Sequence, residues 1–303
     1  ADIHCTPVPA DSRLLAPHPP AKAIYDECLE MIAAAGFDCA DLSFYYEMDT
    51  GFDSPFMQDR YKAFALQLKE MVHRYGISFN QCHAPYEMDF SVFRIPGPQQ
   101  EDLMLRIRRS IEIAGLVGAT HIIVHVLQYL PYGDTDIAEH EQLNIEFYEA
   151  LIPDARKAGV KICLENDWQY DSKSQMIRGG VCANVFELIR YIDRLNEKEN
   201  CFCACLDVGH CAVTGHDPVK AIYALGDRLE AVHMHDTDYK RDMHTLPLTA
   251  QMDHYAIARA LKKSGYSGDY TLEADTFLER FAPEFHQDAL MFMGKVARHL
   301  ANK

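Results

Sequence analysis

Ala231-Val232-His233-Met234-His235-Asp236 reads as an apolar strand with imidazoles at alternate positions and an acid at its end. Successive strand side chains point to opposite faces, so His233 and His235 share one. Two histidines on one face of a buried strand suggest a metal or proton-transfer site more than packing. Other strand-like segments end the same way. Ile77–Cys82 delivers His83, Thr120–Val124 delivers His125, Val160–Leu164 delivers Glu165, Cys201–Leu206 delivers Asp207, and Tyr270–Leu272 delivers Glu273.

Helical patterns separate these strands. They cover Ala21–Ala35, Gln58–Tyr75, Gln99–Val117, His140–Lys157, Asn184–Leu195, Pro218–Leu225, His254–Ser264 and much of Pro283–Asn302, several of them stopped by Gly. Strands alternating with helices imply parallel pairing. With Cys39–Phe44 and a short strand near Asp2–Cys5, about eight units make a single-domain (β/α)8 TIM barrel over residues 1–303. The stretches after strands (Ala84–Pro98, Asn166–Ala183, Asp236–Gln251) are long and polar, whereas those after helices are short. In such a barrel the loops that follow strands build the active site. Most of the strand-end residues fall about 40 residues apart, the length of one unit here, so the six converge on one mouth. Mixed carboxylates and imidazoles suit a divalent ion such as Mn²⁺, Zn²⁺, Co²⁺ or Mg²⁺.

Net charge is -16, from 29 basic and 45 acidic residues. That balance argues against nucleic acid or an anionic membrane as partner. No apolar run reaches the roughly 18 residues of a membrane span. No basic segment followed by an apolar one opens the sequence, so no signal peptide is read. The ten cysteines include no Cys-x-x-Cys pair, and Cys201, Cys203 and Cys205 alternate as core filling would. A cytoplasmic protein with reduced thiols is expected. The apolar run Ile111–Val117 offers a surface for a homo-oligomer.

Glu165-Asn166, Asp207-Val208-Gly209-His210, His233-Met234-His235-Asp236 and Leu272-Glu273 resemble the xylose isomerase-like TIM-barrel superfamily over roughly residues 20–300. That group holds ketose 3-epimerases, related isomerases and dehydratases, and metal-dependent apurinic endonucleases. The resemblance implies that Glu165, Asp207, His233 and Glu273 hold one metal ion. Glu165 and Glu273 would also remove and return a proton through an enediolate, and His210 would meet substrate or a second metal. His235, one layer further out, is placed to orient substrate or to replace His233 as the ligand. Asp242-Met243-His244 resembles the Asp-x-His segment that supplies zinc ligands in the endonuclease branch. With His83, His125 and His210 it completes the candidates for a trinuclear site. The usual Pro-Gly after that segment is here Pro247-Leu248.

Trp168, in the loop after Glu165, is placed to stack on a sugar ring or to pack the loop. Tyr86, Arg94 and Arg178 lie in the same set of loops. His121 starts its strand and reads as a core histidine. The mouth has no Gly-rich phosphate loop and no Lys/Arg cluster, which favours a non-phosphorylated sugar or polyol. The reading is a metal-dependent sugar isomerase or 3-epimerase acting by proton transfer next to a carbonyl. A lyase or dehydratase of the same superfamily, including C-glycoside cleavage, and a zinc-dependent phosphodiesterase are the alternatives. A non-catalytic binding module would have no use for two facing carboxylates beside the ligands.

Overall fold

The computed structural model describes residues 21–45, 48, 54–86, 96–128 and 137–303. The expected strand near Asp2–Cys5, and Arg94, lie outside the described residues. In chain order the elements are α1 (Ala21–Ala34), β1 (Cys39–Ser43), α2 (Tyr61–Tyr75), β2 (Ser78–His83), α3 (Pro98–Val117), β3 (His121–Ile123), α4 (Ile137–Glu149) and α5 (Ile152–Ala158). Then come β4 (Lys161–Glu165), β5 (Trp168–Asp171), β6 (Met176–Gly179), α6 (Val185–Asn196), β7 (Phe202–Asp207), α7 (Val208–Val213) and α8 (Pro218–Leu225). The chain ends with β8 (Leu229–Met234), α9 (His254–Ser264), β9 (Thr271–Leu272), α10 (Asp275–Glu279) and α11 (His286–Ala301). Among the described residues, seven strands form one parallel sheet in the order β1-β2-β3-β4-β7-β8-β9, wrapped by the helices. This is a nearly closed α/β barrel of TIM type. Hydrogen bonds from Asn80 Nδ2 to Thr271 Oγ1 (3.1 Å) and from Thr271 Oγ1 to Gln81 Oε1 (3.4 Å) tie β2 to β9 across it.

Strand alternation sorts the side chains. Ile162, Leu164, Phe202, Ala204, Leu206 and Val232 point outward and join the main core under the helices. Cys163, Cys203, Cys205 and Ala231 point the other way and form a separate small cluster with Ile123. The helices answer with apolar stripes; α6 buries Leu188, Tyr191, Ile192 and Leu195, the spacing of one helical face. Each such side chain contributes about 1.5–3 kcal/mol when fully buried. At Gly118 (φ 92°) α3 ends in the left-handed conformation that glycine adopts without steric cost, and the chain turns directly into β3.

Three expectations change. The helix expected over His140–Lys157 is two helices, because Pro153 cannot sit inside a continuous helix and instead occupies the first turn of α5. The loop after β4 contains an antiparallel hairpin, β5–β6. Ile111, Ile113, Ala114 and Val117 are buried in the chain's own core, so the face expected for self-association is already occupied. Among the described residues, no helix is long and apolar enough to cross a membrane.

At the α3–α5 crossing, a Cβ on Gly115 would lie 2.5 Å from the Ala158 carbonyl oxygen. Gly115→Ala should therefore destabilise the protein by about 1–3 kcal/mol, although Ala is the better helix former. Urea unfolding measures this; an unchanged or higher midpoint would show that α5 moves aside freely.

Candidate active site

The mouth is built from strand ends. Glu165 ends β4, Asp207 ends β7, His233 lies in β8 and Glu273 follows β9, its N–H donating to Met234 O (3.2 Å). One ligand atom from each of these four lies within 4.8 Å of the others. His233 Nδ1 is 2.8 Å from Glu165 Oε1 and 2.9 Å from Glu273 Oε2. Behind the ring, Gln81 Nε2 is 3.0 Å from His233 Nε2 and donates to the buried Asp41 Oδ2 at 2.7 Å.

The motif residues around Asp207 have separate jobs. Asn166 pairs with the Asp207 backbone in both directions at 2.9 Å, which clamps the end of β7 to that of β4. Asp207 also caps helix α7, accepting from the His210 N–H at 2.6 Å. His235 Nε2 approaches both Asp207 oxygens, at 3.0 and 3.1 Å. Gly209 makes room for that ring, since a Cβ there would sit 1.9 Å from His235 Cε1.

Two donor clusters flank this centre. On one side are His83, His125 and Glu165, with the two imidazole Nε2 atoms 3.0 Å apart and His125 Nε2 3.1 Å from Glu165 Oε2. Asp167 holds His125 through Nδ1 (3.1 Å), and Tyr86 stacks on the same ring (centroids 4.5 Å). On the other side are His210, His235, Asp242 and His244. His244 Nε2 lies 2.9 Å and His210 Nε2 3.3 Å from Asp242 Oδ2, and Trp168 Nε1 donates to the same oxygen at 2.9 Å. Trp168 is thus an anchor for Asp242 and stands edge-on to His210. Arg178 is exposed on the hairpin.

The loop after β8 is shaped by Asp236, whose carboxylate accepts the N–H groups of Thr237, Ala250 and Met252. Pro247-Leu248, where a Pro-Gly pair was expected, still turns left-handed, with Leu248 at φ 75°. His244 also has a positive φ, 40°, a backbone state costing about 1–3 kcal/mol for a non-glycine residue.

Charge balance dominates the site. Burial pushes the Glu165 carboxyl up, but the His233 charge and hydrogen bonds from His125, His233 and His83 outweigh it and hold Glu165 well below the carboxylate range. Glu273 is likewise raised by burial and held well below that range by His233 and His244. Burial lowers the histidines, yet the facing carboxylates win. His125 is raised to about 10 by Asp167 and Glu165, His244 to about 10 by Glu273 and Asp242. His210 and His233 also stand well above their ordinary value. These four imidazoles take up protons because the buried carboxylates facing them require positive charge. Glu165 Oε2, Glu273 Oε2 and Asp242 Oδ1 are buried and face imidazole nitrogens without a well-aligned hydrogen bond. Buried carboxylate oxygens so placed beside imidazoles fit a divalent cation better than they fit protons alone.

The structure brings together all the strand-end residues expected at the mouth. It adds Asp41, Gln81 and Asp167, which the sequence reading passed over. Asp167 is two residues beyond Glu165, so strand parity was a usable signal; Gln81 shares parity with His83. His121 is not a fully enclosed core histidine: its side chain is 21% exposed and its Nε2 is 3.1 Å from Glu230 Oε2.

A parallel α/β barrel whose mouth gathers carboxylates and imidazoles from successive strands defines a class, and sequence comparison agrees. The profile of the family described as xylose isomerase-like TIM barrel matches residues 29–293, and the chain belongs to that family. Among curated proteins it is similar to the uncharacterized protein y4fM of Sinorhizobium fredii (strain NBRC 101917 / NGR234), 24% identical over 165 residues. That match covers 53% of the chain and spans about half (49%) of the relative. Among solved structures, a D-psicose 3-epimerase determined in the presence of D-fructose superposes with a TM-score of 0.70 at 14% identity, covering 92% of this chain and 94% of that one. A D-tagatose 3-epimerase-like protein gives 0.68 at 17% identity, covering 88% and 90%.

A ligating imidazole must give up its proton, so loading the mouth with Mn²⁺ should release protons. Because the histidine values are raised, acid favours the proton over the ion, and apparent affinity should fall from about pH 8 to about pH 6. Calorimetry in buffers of different ionisation enthalpy reads both. A pH-independent affinity without proton release would remove the imidazoles from the ligand set.

Proposed function

We propose that the protein is a divalent-metal-dependent sugar epimerase or isomerase acting on a non-phosphorylated sugar or polyol. The observation that carries this reading is the pairing of Glu165 and Glu273 on either side of His233, with Asp207 completing the set. Glu165, Asp207, His233 and Glu273 would hold the ion. The ion, when bound, would polarise the substrate carbonyl and so acidify the neighbouring C–H. Glu165 and Glu273 come from β4 and from the end of β9, so they approach a bound sugar from different sides. One would take the proton and the other return it. His235 would hold Asp207 in place, while His83, His125, His210 and Trp168 would line the path of the substrate hydroxyls. Asp242 and His244 would close the far wall. Similarity in fold to ketose 3-epimerases supports the assignment.

The two flanking clusters favour a second reading, a site of up to three ions of the phosphodiesterase type, with Glu165 shared between two of them. The net charge of -16 weighs against a polyanionic substrate. Elemental analysis of a Cys163→Ala variant, which counts ions at the mouth alone, separates the two: about one ion per chain fits the sugar enzyme, and three zinc ions fit the hydrolase.

Glu165→Gln and Glu273→Gln keep size and one ligating oxygen but cannot accept a proton. Each should retain most of the metal and lose turnover of a free ketose by about two to four orders of magnitude. Exchange of the substrate C–H with heavy water should also stop in at least one direction. Near wild-type turnover in either variant would take the proton away from that glutamate. Chelation should abolish activity and Mn²⁺ or Co²⁺ restore it; full activity after dialysis against chelator would sink the metal requirement.

A further inference from the structure

Beneath the mouth the barrel interior carries a second group of donors that the proposed reaction does not use. Cys163 and Cys203 face each other in register on β4 and β7. Their sulfurs are 2.9 Å apart, and neither residue is more than 1% exposed. His121 opens β3 two residues before the inward-facing Ile123 and so shares its face. One ring nitrogen of His121 and the two sulfurs lie within 4.8 Å of one another. These residues sit nearer the strand N-terminal ends than Glu165 and Asp207 do, which places them on the floor of the barrel.

We propose that His121, Cys163 and Cys203 form a binding site for a thiophilic divalent cation of the zinc class, separate from the ion-binding mouth. Two thiols and an imidazole are the donor set that zinc takes and that Mg²⁺ or Mn²⁺ does not prefer. The histidine ring is held by a carboxylate, as metal-bound histidines commonly are. Glu230 Oε2 is 3.1 Å from His121 Nε2, and Lys161 Nζ holds the other Glu230 oxygen at 2.6 Å. The other ring nitrogen, Nδ1, meets the Thr120 hydroxyl at 2.9 Å, a rotor that can turn aside. Ligation at about 2.3 Å per sulfur opens the pair to about 3.8 Å, a shift of under about 1 Å. A divalent ion in exchange for two thiol protons leaves the net charge of the interior unchanged, so no uncompensated charge is buried.

His121 and Glu230 line a cavity of about 430 Å³ at the strand N-terminal face, with Asp227 and Asp269 on its wall. Acidic groups there concentrate cations beside His121, on the solvent side of the proposed site.

The test uses Cd²⁺ as probe on the full chain, with Mn²⁺ in excess to occupy the mouth. One Cd²⁺ per chain should bind with an ultraviolet cadmium–thiolate absorption band, and Asp207→Ala should leave that band in place. Cys163→Ala and Cys203→Ala should remove it. His121→Asn, at a partly exposed position that the fold tolerates, should weaken Cd²⁺ binding by at least about 10-fold. Cys205→Ala is the control, because Cys205 lies by Glu165 and His233 at the mouth. A band lost in Cys205→Ala and kept in Cys203→Ala would assign the thiolate to the mouth and overturn the proposal. So would wild-type protein with no thiolate band at saturating Cd²⁺, or an unchanged affinity in His121→Asn. The last comparison decides the matter even if the core cysteine variants fail to fold.

Discussion

Carboxylates gathered in one buried mouth repel one another unless positive charge stands between them, and this constraint organises the top of the barrel. Glu165, Asp207, Asp242 and Glu273 are all largely enclosed. The sequence meets the constraint with imidazoles placed one per carboxylate face: His233 between the glutamates, His235 on Asp207, His244 and His210 on Asp242. Each imidazole can be charged, neutral or a ligand, so the same set of side chains stays compensated with protons or with an ion. A lysine in these places would hold permanent charge and compete with a metal.

The backbone is arranged to serve that exchange. Parallel register puts Asp207 beside His233 and Glu165 beside Cys205, so the inward residues share a level. Asp207 is at once the last residue of a strand, the cap of a helix and the partner of His235. Such multiple duty makes its carboxylate rigid, as the proposed ion site would require. The same economy appears at Asp236, which ties together the loop that presents Asp242 and His244.

Much of this was legible in the sequence. Strand parity, helix-stopping glycines and the even spacing of acids and histidines were enough for a parallel barrel and for the ring of residues at its mouth. The remainder depends on partners far away in the chain. His233 and His235 have the same parity, and only their contacts separate them: the first meets Glu165 and Glu273, the second Asp207. His121 finds Glu230 across 109 residues, and Asp41 finds Gln81 across 40, pairings that no local pattern records. The β5–β6 hairpin escaped because its strands are half exposed and lack an apolar alternation. The break between α4 and α5 was marked by Pro153 and could have been read.

Trp168 is the only tryptophan in the chain. Its indole N–H is bonded to Asp242, and its ring stands against His210, so the protein's whole indole emission originates inside the mouth. An imidazolium close to an indole is an efficient quencher, whereas a neutral or ligated imidazole is a weaker one. The natural sequence therefore carries a built-in optical reporter of what occupies its centre, without a label or an engineered residue.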